Sequence, residues 1–327
     1  MDNIIETYQL KKSFQVRQSK DRKLQIIEAV KGIDLAVRAG EIFGFLGPNG
    51  AGKTTTLRML ATLIPPSSGQ AQIAGHDLVR ESKQIRSCIG YVSQAGGSDV
   101  TATGRENLML QAQLHGLGRR DAEQRTNTLL DILELESIAD RLVKTYSGGQ
   151  RRRLDLALGM VHRPQLLFLD EPTTGLDPQS RARLWDEVRR LRAGGTTIFL
   201  TTHYLEEADA LADRLAIIDD GLIVVEGTPE SLKQQIAGDV ITLDLKLNNG
   251  TRQKLETLFQ QQPYVREVYP SDNQIQLYVE RGEENLPALL HLLDATGLAV
   301  QRVALSRPSL DDVFLRKTGR SLREEHA

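Results

Sequence analysis

Nine consecutive residues, Gly47 to Thr55, have the types and spacing of a site for phosphate groups. Their sequence, GPNGAGKTT, fits the P-loop pattern G-x-x-x-x-G-K-[ST]. Glycines let consecutive backbone N–H groups point at phosphate oxygens, and the positive end of a following helix strengthens anion binding. We expect Lys53 to reach the β- and γ-phosphates and the Thr54 hydroxyl to ligate Mg²⁺. The pattern predicts a nucleoside triphosphate site formed by Gly47, Pro48, Asn49, Gly50, Ala51, Gly52, Lys53, Thr54 and Thr55.

Two carboxylates follow an apolar run further along the chain. Leu166 to Leu169 has the composition of a buried strand, and Asp170 and Glu171 come directly after it. At such a place one carboxylate can hold a metal ion while its neighbour orients or deprotonates a water molecule. We therefore expect Asp170 to bind Mg²⁺ and Glu171 to be the general base. Acidic residues after a strand also cap helices, but the upstream P-loop disfavours that alternative.

A fold must bring these residues together, and the sequence up to about Gly238 predicts such a fold. Short apolar strands alternate with longer helical patterns, which is typical of an α/β sheet. The predicted strands are Ile42–Leu46, Cys88–Val92, Leu166–Leu169, Thr197–Leu200 and Leu215–Ile218. The predicted helices are Arg105–Leu117, Ala122–Leu133, Arg151–Val161 and Arg181–Leu191.

The pattern changes from about Val240 onward. Alternating apolar residues predict strands around Leu243 and Ile275. Further strands are predicted at Tyr264–Tyr269 and Leu298–Leu305, and helices at Arg252–Gln262 and Leu286–Leu293. The order β-α-β-β-α-β is that of a ferredoxin-like split unit, and Ser309–Lys317 adds a final helix. No catalytic constellation occurs in this part. We expect a nucleotide-binding domain over residues 1–238, with a helical subdomain at about 95–160, and a small α+β accessory domain over residues 239–327.

Composition excludes some classes of function. A formal net charge of −2 and a pI near 6.3 disfavour nucleic acid as a partner. The single cysteine, Cys88, excludes an intramolecular disulfide and fits a reducing compartment. The N-terminus lacks the pattern of a signal peptide, and the apolar runs are far shorter than the roughly 20 residues of a membrane helix.

The segment Tyr146-Ser147-Gly148-Gly149-Gln150 precedes the acidic strand and resembles the signature motif of ATP-binding cassette (ABC) ATPases. The resemblance implies a second phosphate cradle at a helix start, formed by Ser147, Gly148, Gly149 and Gln150. It identifies Gln94 as the Q-loop glutamine that contacts Mg²⁺, Asp177 as part of the D-loop at a dimer interface, and His203 as the switch histidine. Phe14 resembles the aromatic residue that stacks on adenine.

The sequences of several motifs are most similar to those of the daunorubicin-resistance subgroup of ABC exporters. The C-terminal segment Pro308–Phe314 is similar to the C-terminal extension of the same subgroup. The chain departs from the family pattern at two places. Tyr146 replaces the leucine that usually precedes the signature serine, and Arg17–Lys23 lengthens the hairpin after Phe14. The three arginines Arg151–Arg153 are interpreted as a solvated helix face.

The resemblance implies a P-loop ABC ATPase that energises efflux of a drug or lipid-like substrate. It further implies a homodimer or heterodimer of ATPase subunits with two ATP molecules sandwiched head to tail. Separate integral membrane permease subunits would hold this dimer at the cytoplasmic face of the cell membrane. The main alternative is a soluble ABC ATPase in translation or DNA repair, which one cassette and one cysteine disfavour. A binding module without turnover is opposed by Glu171 and His203.

Overall fold

The computed structural model describes residues 2–17, 24–236, 238–245, 249–270, 274–295 and 300–319. The chain divides into two compact units, Met1–Pro229 and Glu230–Ala327. The predicted boundary after Gly238 stays a prediction. Residues 18–23, in the predicted hairpin insertion, lie outside the described part of the chain.

A six-stranded, mainly parallel sheet forms the centre of the first unit. Its spatial order is β10-β9-β3-β8-β7-β6, and only the β9–β10 pair is antiparallel. The central strands are buried along their whole length, as expected for a sheet with both faces covered. These strands are β3 (Ile42–Leu46), β6 (Ile89–Val92), β7 (Leu166–Asp170), β8 (Thr197–Thr202), β9 (Arg214–Asp219) and β10 (Leu222–Gly227).

An antiparallel sheet of order β2-β1-β4-β5 completes the strands of this unit. Its two long strands are irregularly paired, with several register shifts along their length. The strands are β1 (Asn3–Arg17), β2 (Leu24–Arg38), β4 (Ser68–Ile73) and β5 (His76–Asp77).

The helices of the first unit begin at the positions where the sequence carries capping residues. Thr103 and Ser147 each form a capping box with the residue three positions later, and Asp177 caps the helix that starts at Pro178. The helices are α1 (Lys53–Leu60), α2 (Ser82–Cys88), α3 (Gly104–Leu114), α4 (Arg119–Ile132), α5 (Gly148–Met160), α6 (Pro178–Ala193) and α7 (Leu205–Leu211).

Some predicted bounds were wrong by a few residues. Cys88 ends helix α2 and does not begin the strand that follows. Helix α3 ends at Leu114, three residues before the predicted end, because Gly116 has a φ of 83° that a right-handed helix does not allow. In the part of the chain that the structure describes, no helix is both long enough and apolar enough to span a membrane.

The second unit confirms the predicted ferredoxin-like order. After a short helix α8 (Pro229–Gln234), four strands pair entirely antiparallel in the order β12-β13-β11-β14. Apolar residues of these strands and of two helices share one buried core. The elements are β11 (Asp239–Leu245), α9 (Asn249–Gln260), β12 (Val265–Pro270), β13 (Gln274–Val279), α10 (Gly282–Ala295), β14 (Val300–Ser306) and a final helix α11 (Leu310–Thr318).

Candidate active site

The glycine-rich loop connects β3 to α1 and has no room for larger residues at two of its positions. A Cβ atom at Gly47 would lie 2.2 Å from the carbonyl oxygen of Ile218, and one at Gly52 would lie 2.4 Å from that of Ala29. Gly50 and Gly52 also have φ values of 81° and 103°, which favour glycine. The glycines thus let the loop pass close to neighbouring backbone and adopt left-handed conformations just before the N-terminus of α1, a position that favours phosphate binding. Pro48, Asn49, Ala51 and Thr55 complete this segment.

Lys53, the first residue of α1, is buried with its ammonium group in the loop. Its Nζ donates to the carbonyl oxygens of Gly47 at 2.8 Å and Pro48 at 3.0 Å. The same nitrogen lies 3.4 Å from Oε1 of Glu171. A buried ammonium group needs such partners to offset the loss of its hydration. The cationic group is therefore held at the P-loop beside a carboxylate.

Asp170 ends strand β7 and lies next to the hydroxyl groups of two threonines. Thr54 Oγ1 donates to Asp170 Oδ1 at 3.0 Å, and Thr201 Oγ1 donates to the same atom at 2.7 Å. Carboxylate and hydroxyl oxygens are the ligand types that Mg²⁺ prefers, and this ion commonly completes its shell with phosphates and water. The described residues contain no cluster of three or more His, Cys, Asp and Glu side chains fit to hold a metal alone. The donor set therefore fits an ion that is shared with a nucleotide.

Glu171 is the meeting point of three predicted site residues. Its Oε2 accepts from Nε2 of Gln94 at 3.0 Å and lies 3.3 Å from Nδ1 of His203, while Oε1 faces Lys53. Burial by itself raises the pKa of Glu171, but the hydrogen bond with His203 and the charge of Lys53 outweigh it and lower the pKa to about 2. The side chain is thus a carboxylate at neutral pH.

The backbone of Glu171 adopts the left-handed conformation, with a φ of 46°. Its N–H group donates to the carbonyl oxygen and to Oγ1 of Thr201, each at 3.1 Å, which holds this unusual conformation in place. Strained residues of this kind occur often at functional sites. The turn directs the carboxylate away from the strand and toward Lys53, Gln94 and His203.

The signature residues form a second cluster, at the start of α5. Ser147 Oγ accepts from the N–H of Gln150, whose Oε1 accepts in return from the N–H of Ser147. Gly148 and Gly149 open the helix, and a Cβ atom at Gly149 would lie 2.7 Å from Ser180 Oγ. Asp177 holds Ser180 through two hydrogen bonds as it caps α6. The signature motif and Asp177 therefore lie at two helix N-termini that pack closely, where anions are favoured.

Tyr146, the departure from the usual signature, points into the protein. The side chain is buried, and its hydroxyl donates to the carbonyl oxygen of Ile138 at 2.7 Å. The tyrosine therefore packs beneath the signature helix, and the backbone of Ser147 to Gln150 remains the part that can bind an anion.

Phe14 lies on β1, opposite Ile27 of β2. Its ring is 38% exposed, and the ammonium group of Lys12 lies 5.2 Å from the ring centroid. An exposed aromatic face of this kind can stack on a base. None of the contacts described for Phe14 involves the P-loop or the acidic residues, so its role stays a prediction.

Sequence reasoning missed two charged residues of α5. Arg152 was interpreted as part of a solvated face, but it is only 7% exposed, and Asp155 is buried as well. The expectation was wrong for Arg152 because the helix packs against the loop after β6 and the end of β7, which local sequence does not show. Asp155 lies between Leu154 and Leu156, and a lone carboxylate in an apolar helical stretch was the available signal.

Comparison with known proteins finds two family models that match parts of the chain. The ABC transporter family matches residues 30–174, and the C-terminal domain of DrrA1-3-like ATP-binding proteins matches residues 227–318. The daunorubicin resistance ATP-binding protein DrrA3 of Streptomyces coeruleorubidus is 44% identical over 92% of this chain and 94% of that protein. The Nod factor export ATP-binding protein I of Sinorhizobium fredii is 42% identical over 90% of this chain and 83% of that protein.

A solved structure with the same fold is the ATP-binding cassette MJ0796, a dimer in a post-hydrolysis state bound to ADP and Pi. It superposes with a TM-score of 0.61 at 25% identity and covers 68% of this chain and 98% of that one. The two sequence relatives cover about nine tenths of this chain. The chain therefore belongs to the ATP-binding proteins of the ABC transporter family.

Proposed function

We propose that this chain binds ATP with Mg²⁺ and hydrolyses it to energise an exporter. ATP hydrolysis coupled to transport is the activity of the family, and each step of it can be assigned to particular residues of this chain. One observation carries these assignments: Lys53, Gln94 and His203 lie within hydrogen-bond or ion-pair distance of Glu171. Directly beside this cluster, Thr54 donates to Asp170, the residue before Glu171. Charged and polar groups at these distances can bind phosphates, orient water and accept a proton.

Each residue has a role that follows from its chemistry. Lys53 and the N–H groups of the loop bind phosphate oxygens, while Thr54 and Asp170, with Gln94, hold Mg²⁺. This ion neutralises charge on the phosphates when it is bound. Glu171 orients the attacking water and accepts its proton, and His203 holds the Glu171 carboxylate in place and faces the γ-phosphate.

Two copies of an ATP-binding subunit form the working unit in this proposal. The chain has one P-loop and one signature motif, each at the N-terminus of a helix that favours anions. Each ATP then lies between Lys53 of one subunit and Ser147 of the other, with Asp177 at the interface. Hydrolysis breaks the bond to the γ-phosphate, and release of this phosphate removes negative charge that holds the two subunits together. Their separation then moves the permease. The partner is a second copy or a homologous subunit.

Export is the direction that the relatives favour, since their names refer to daunorubicin resistance and to Nod factor export. We propose an apolar or amphipathic small molecule as the substrate, handled by separate integral membrane permease subunits. The ATPase subunits then lie at the cytoplasmic face of the cell membrane. Roles in translation or DNA repair are not favoured by these relatives.

The test begins with the full chain purified with and without its membrane partner. We expect ATP hydrolysis that is lost when EDTA removes Mg²⁺, and we expect an integral membrane protein to co-purify from native membranes. Inverted vesicles that contain both proteins should accumulate daunorubicin or another amphipathic compound only with ATP. Hydrolysis without any co-purifying membrane protein would contradict the transport proposal and leave the ATPase assignment in place.

The second unit is proposed to support assembly and coupling. A chain that ends at Pro229 should keep a folded first unit, because Met1–Pro229 is compact by itself. It should also keep the ATP site, because every predicted site residue lies within these bounds. We expect its ATP affinity to equal that of the full chain, while assembly with the permease or transport decreases. Equilibrium ATP binding and vesicle transport measured on both lengths check this result. Loss of ATP binding by a truncated chain with a cooperative melting transition would place the second unit in the nucleotide site.

A further inference from the structure

Arg152 of helix α5 holds three backbone carbonyl groups that belong to different parts of the active site. Its guanidinium group donates to the carbonyl oxygens of Ser93 at 2.6 Å, Asp170 at 3.1 Å and Pro172 at 2.6 Å. Ser93 precedes Gln94, and Asp170 and Pro172 flank Glu171. A planar guanidinium group offers five donors in fixed directions, so this one side chain sets the spacing of both segments.

Asp155, one helical turn later on the same helix, holds the other end of the Gln94 loop, which we define as residues 93–98. Its Oδ1 accepts from the N–H groups of Gly97 at 3.0 Å and Ser98 at 3.1 Å. Gly96 has a φ of 83°, and a Cβ atom there would lie 2.8 Å from Asp155 Oδ2. The loop is therefore shaped to fit against this carboxylate.

The Gln94 loop is also closed by its own hydrogen bonds. Ser93 Oγ donates to the carbonyl oxygen of Gly96 at 2.7 Å, and the N–H of Gly96 donates to the carbonyl oxygen of Ser93 at 3.1 Å. A loop closed in this way moves as one piece when its two ends are held by the same helix. Burial lowers the pKa of Arg152, and the nearby carboxylates of Asp155 and Asp170 oppose this effect.

We propose that Arg152 and Asp155 are positioning residues that fix Gln94 and Glu171 relative to the signature helix α5. The inference rests on the proposed function, in which Ser147 at the start of α5 contacts the nucleotide of the other subunit. Arg152 lies five residues after Ser147 on this helix. When Ser147 contacts the nucleotide of the other subunit, the rigid helix α5 therefore sets the positions of Gln94 and Glu171 at the nucleotide of their own subunit.

The test compares Arg152→Gln, Asp155→Ala and Asp155→Asn in the full chain. Misplacing groups by about 1 Å can cost on the order of 100-fold in rate, so we expect kcat for ATP hydrolysis to fall at least about 10-fold in the first two variants. KM and ATP affinity should stay within about 3-fold, since Lys53 and the P-loop are untouched. Asp155→Asn should retain most of the activity, because its amide oxygen still accepts from Gly97 and Ser98.

Hydrogen exchange of the peptide that covers residues 93–98 supplies a readout that does not need activity. Its amide exchange should become faster in Arg152→Gln and Asp155→Ala and stay near that of the wild type in Asp155→Asn. Arg125→Gln is the matched control, because Arg125 also donates to two carbonyl groups, those of Met160 and Val161, at the far end of α5. We expect this control to lower the melting temperature but to keep kcat and the exchange of the loop.

The outcomes separate this inference from the proposed function. Absence of Mg²⁺-dependent hydrolysis in the wild type would overturn the proposed function, while the exchange measurement still tests whether Arg152 and Asp155 hold the loop. Unchanged kcat and unchanged exchange in folded Arg152→Gln or Asp155→Ala would overturn the inference. An equal fall of kcat in Arg125→Gln would do the same, because it would show a general effect of lost buried arginine contacts. If Arg152→Gln does not fold, the comparison of Asp155→Ala with Asp155→Asn tests the inference.

Discussion

Replacement of Glu171 by glutamine is expected to slow ATP hydrolysis by a factor of about 100 or more, the range found for loss of a general base. Glutamine keeps the size of the side chain and can still hydrogen-bond with Gln94 and His203, but it cannot accept a proton from water. The P-loop and the residues proposed to hold Mg²⁺ are unchanged, so ATP binding should persist. Hydrolysis is then blocked at a stage where both subunits hold ATP.

The second expected effect of Glu171→Gln is an ATP-bound dimer that does not separate. Size-exclusion chromatography with light scattering should detect it with ATP and Mg²⁺ and not with ADP. Steady-state phosphate release measures the loss of turnover in the same preparation.

Glu41→Gln is a matched control for this variant. Glu41 and Glu171 are both 8% exposed, and Glu41 pairs with Arg214 at 2.9 Å, outside the proposed site. We expect Glu41→Gln to lower stability but to retain hydrolysis, since breaking a buried ion pair destabilises without altering the chemistry. Near-normal turnover by purified Glu171→Gln would refute the assignment of Glu171 as general base.

Much of the site could be predicted because parallel strands place their carboxyl ends at one edge of a sheet. The P-loop follows β3, His203 follows β8, Asp170 ends β7 with Glu171 directly after it, and Gln94 follows β6. These four strands are neighbours in the order β3-β8-β7-β6. Short, mostly apolar runs predicted the bounds of these strands to within two residues, because a strand buried on both faces favours apolar residues.

Other features depend on contacts between distant residues and could not be read locally. Three adjacent arginines have similar local sequence, and only the packing of α5 decides that Arg152 is the buried one. The ion pair of Lys53 with Glu171 joins residues more than a hundred positions apart. The bounds of strand β1 were not predicted because most of its residues are polar, and its pairing with β2 is interrupted by register shifts that local sequence does not show.

A site shared between two subunits should be lost when either of its two halves is altered. Lys53→Ala and Ser147→Arg should each abolish ATP hydrolysis when present in every chain. Lys53→Ala removes the cation that contacts the phosphates. Ser147→Arg removes the cap of α5 and places a large cation at a helix N-terminus, where positive charge is unfavourable. ATP binding to the monomer should persist in Ser147→Arg, while ATP-dependent dimerisation should be lost.

Thr103→Arg is a matched control for the loss of the cap, because Thr103 forms the same capping box on α3 with Glu106. We expect it to lower stability in a similar way and to leave ATP-dependent dimerisation intact. Dimerisation that survives Ser147→Arg, in a chain that still binds ATP, would refute the shared site.

Mixing the two inactive chains tests the shared site by recovery of ATP hydrolysis. A mixed dimer contains one site that carries both substitutions and one site in which Lys53 and Ser147 are both intact. If equal amounts of the two chains are paired at random by the permease subunits, about half of the dimers are mixed, so about a quarter of all sites are intact. If one intact site is enough for turnover, hydrolysis should return up to that fraction, and it should rise and fall with the ratio of the two chains. If each chain instead carried a complete site of its own, mixing would restore nothing, because every P-loop would stay with the signature motif of the same chain.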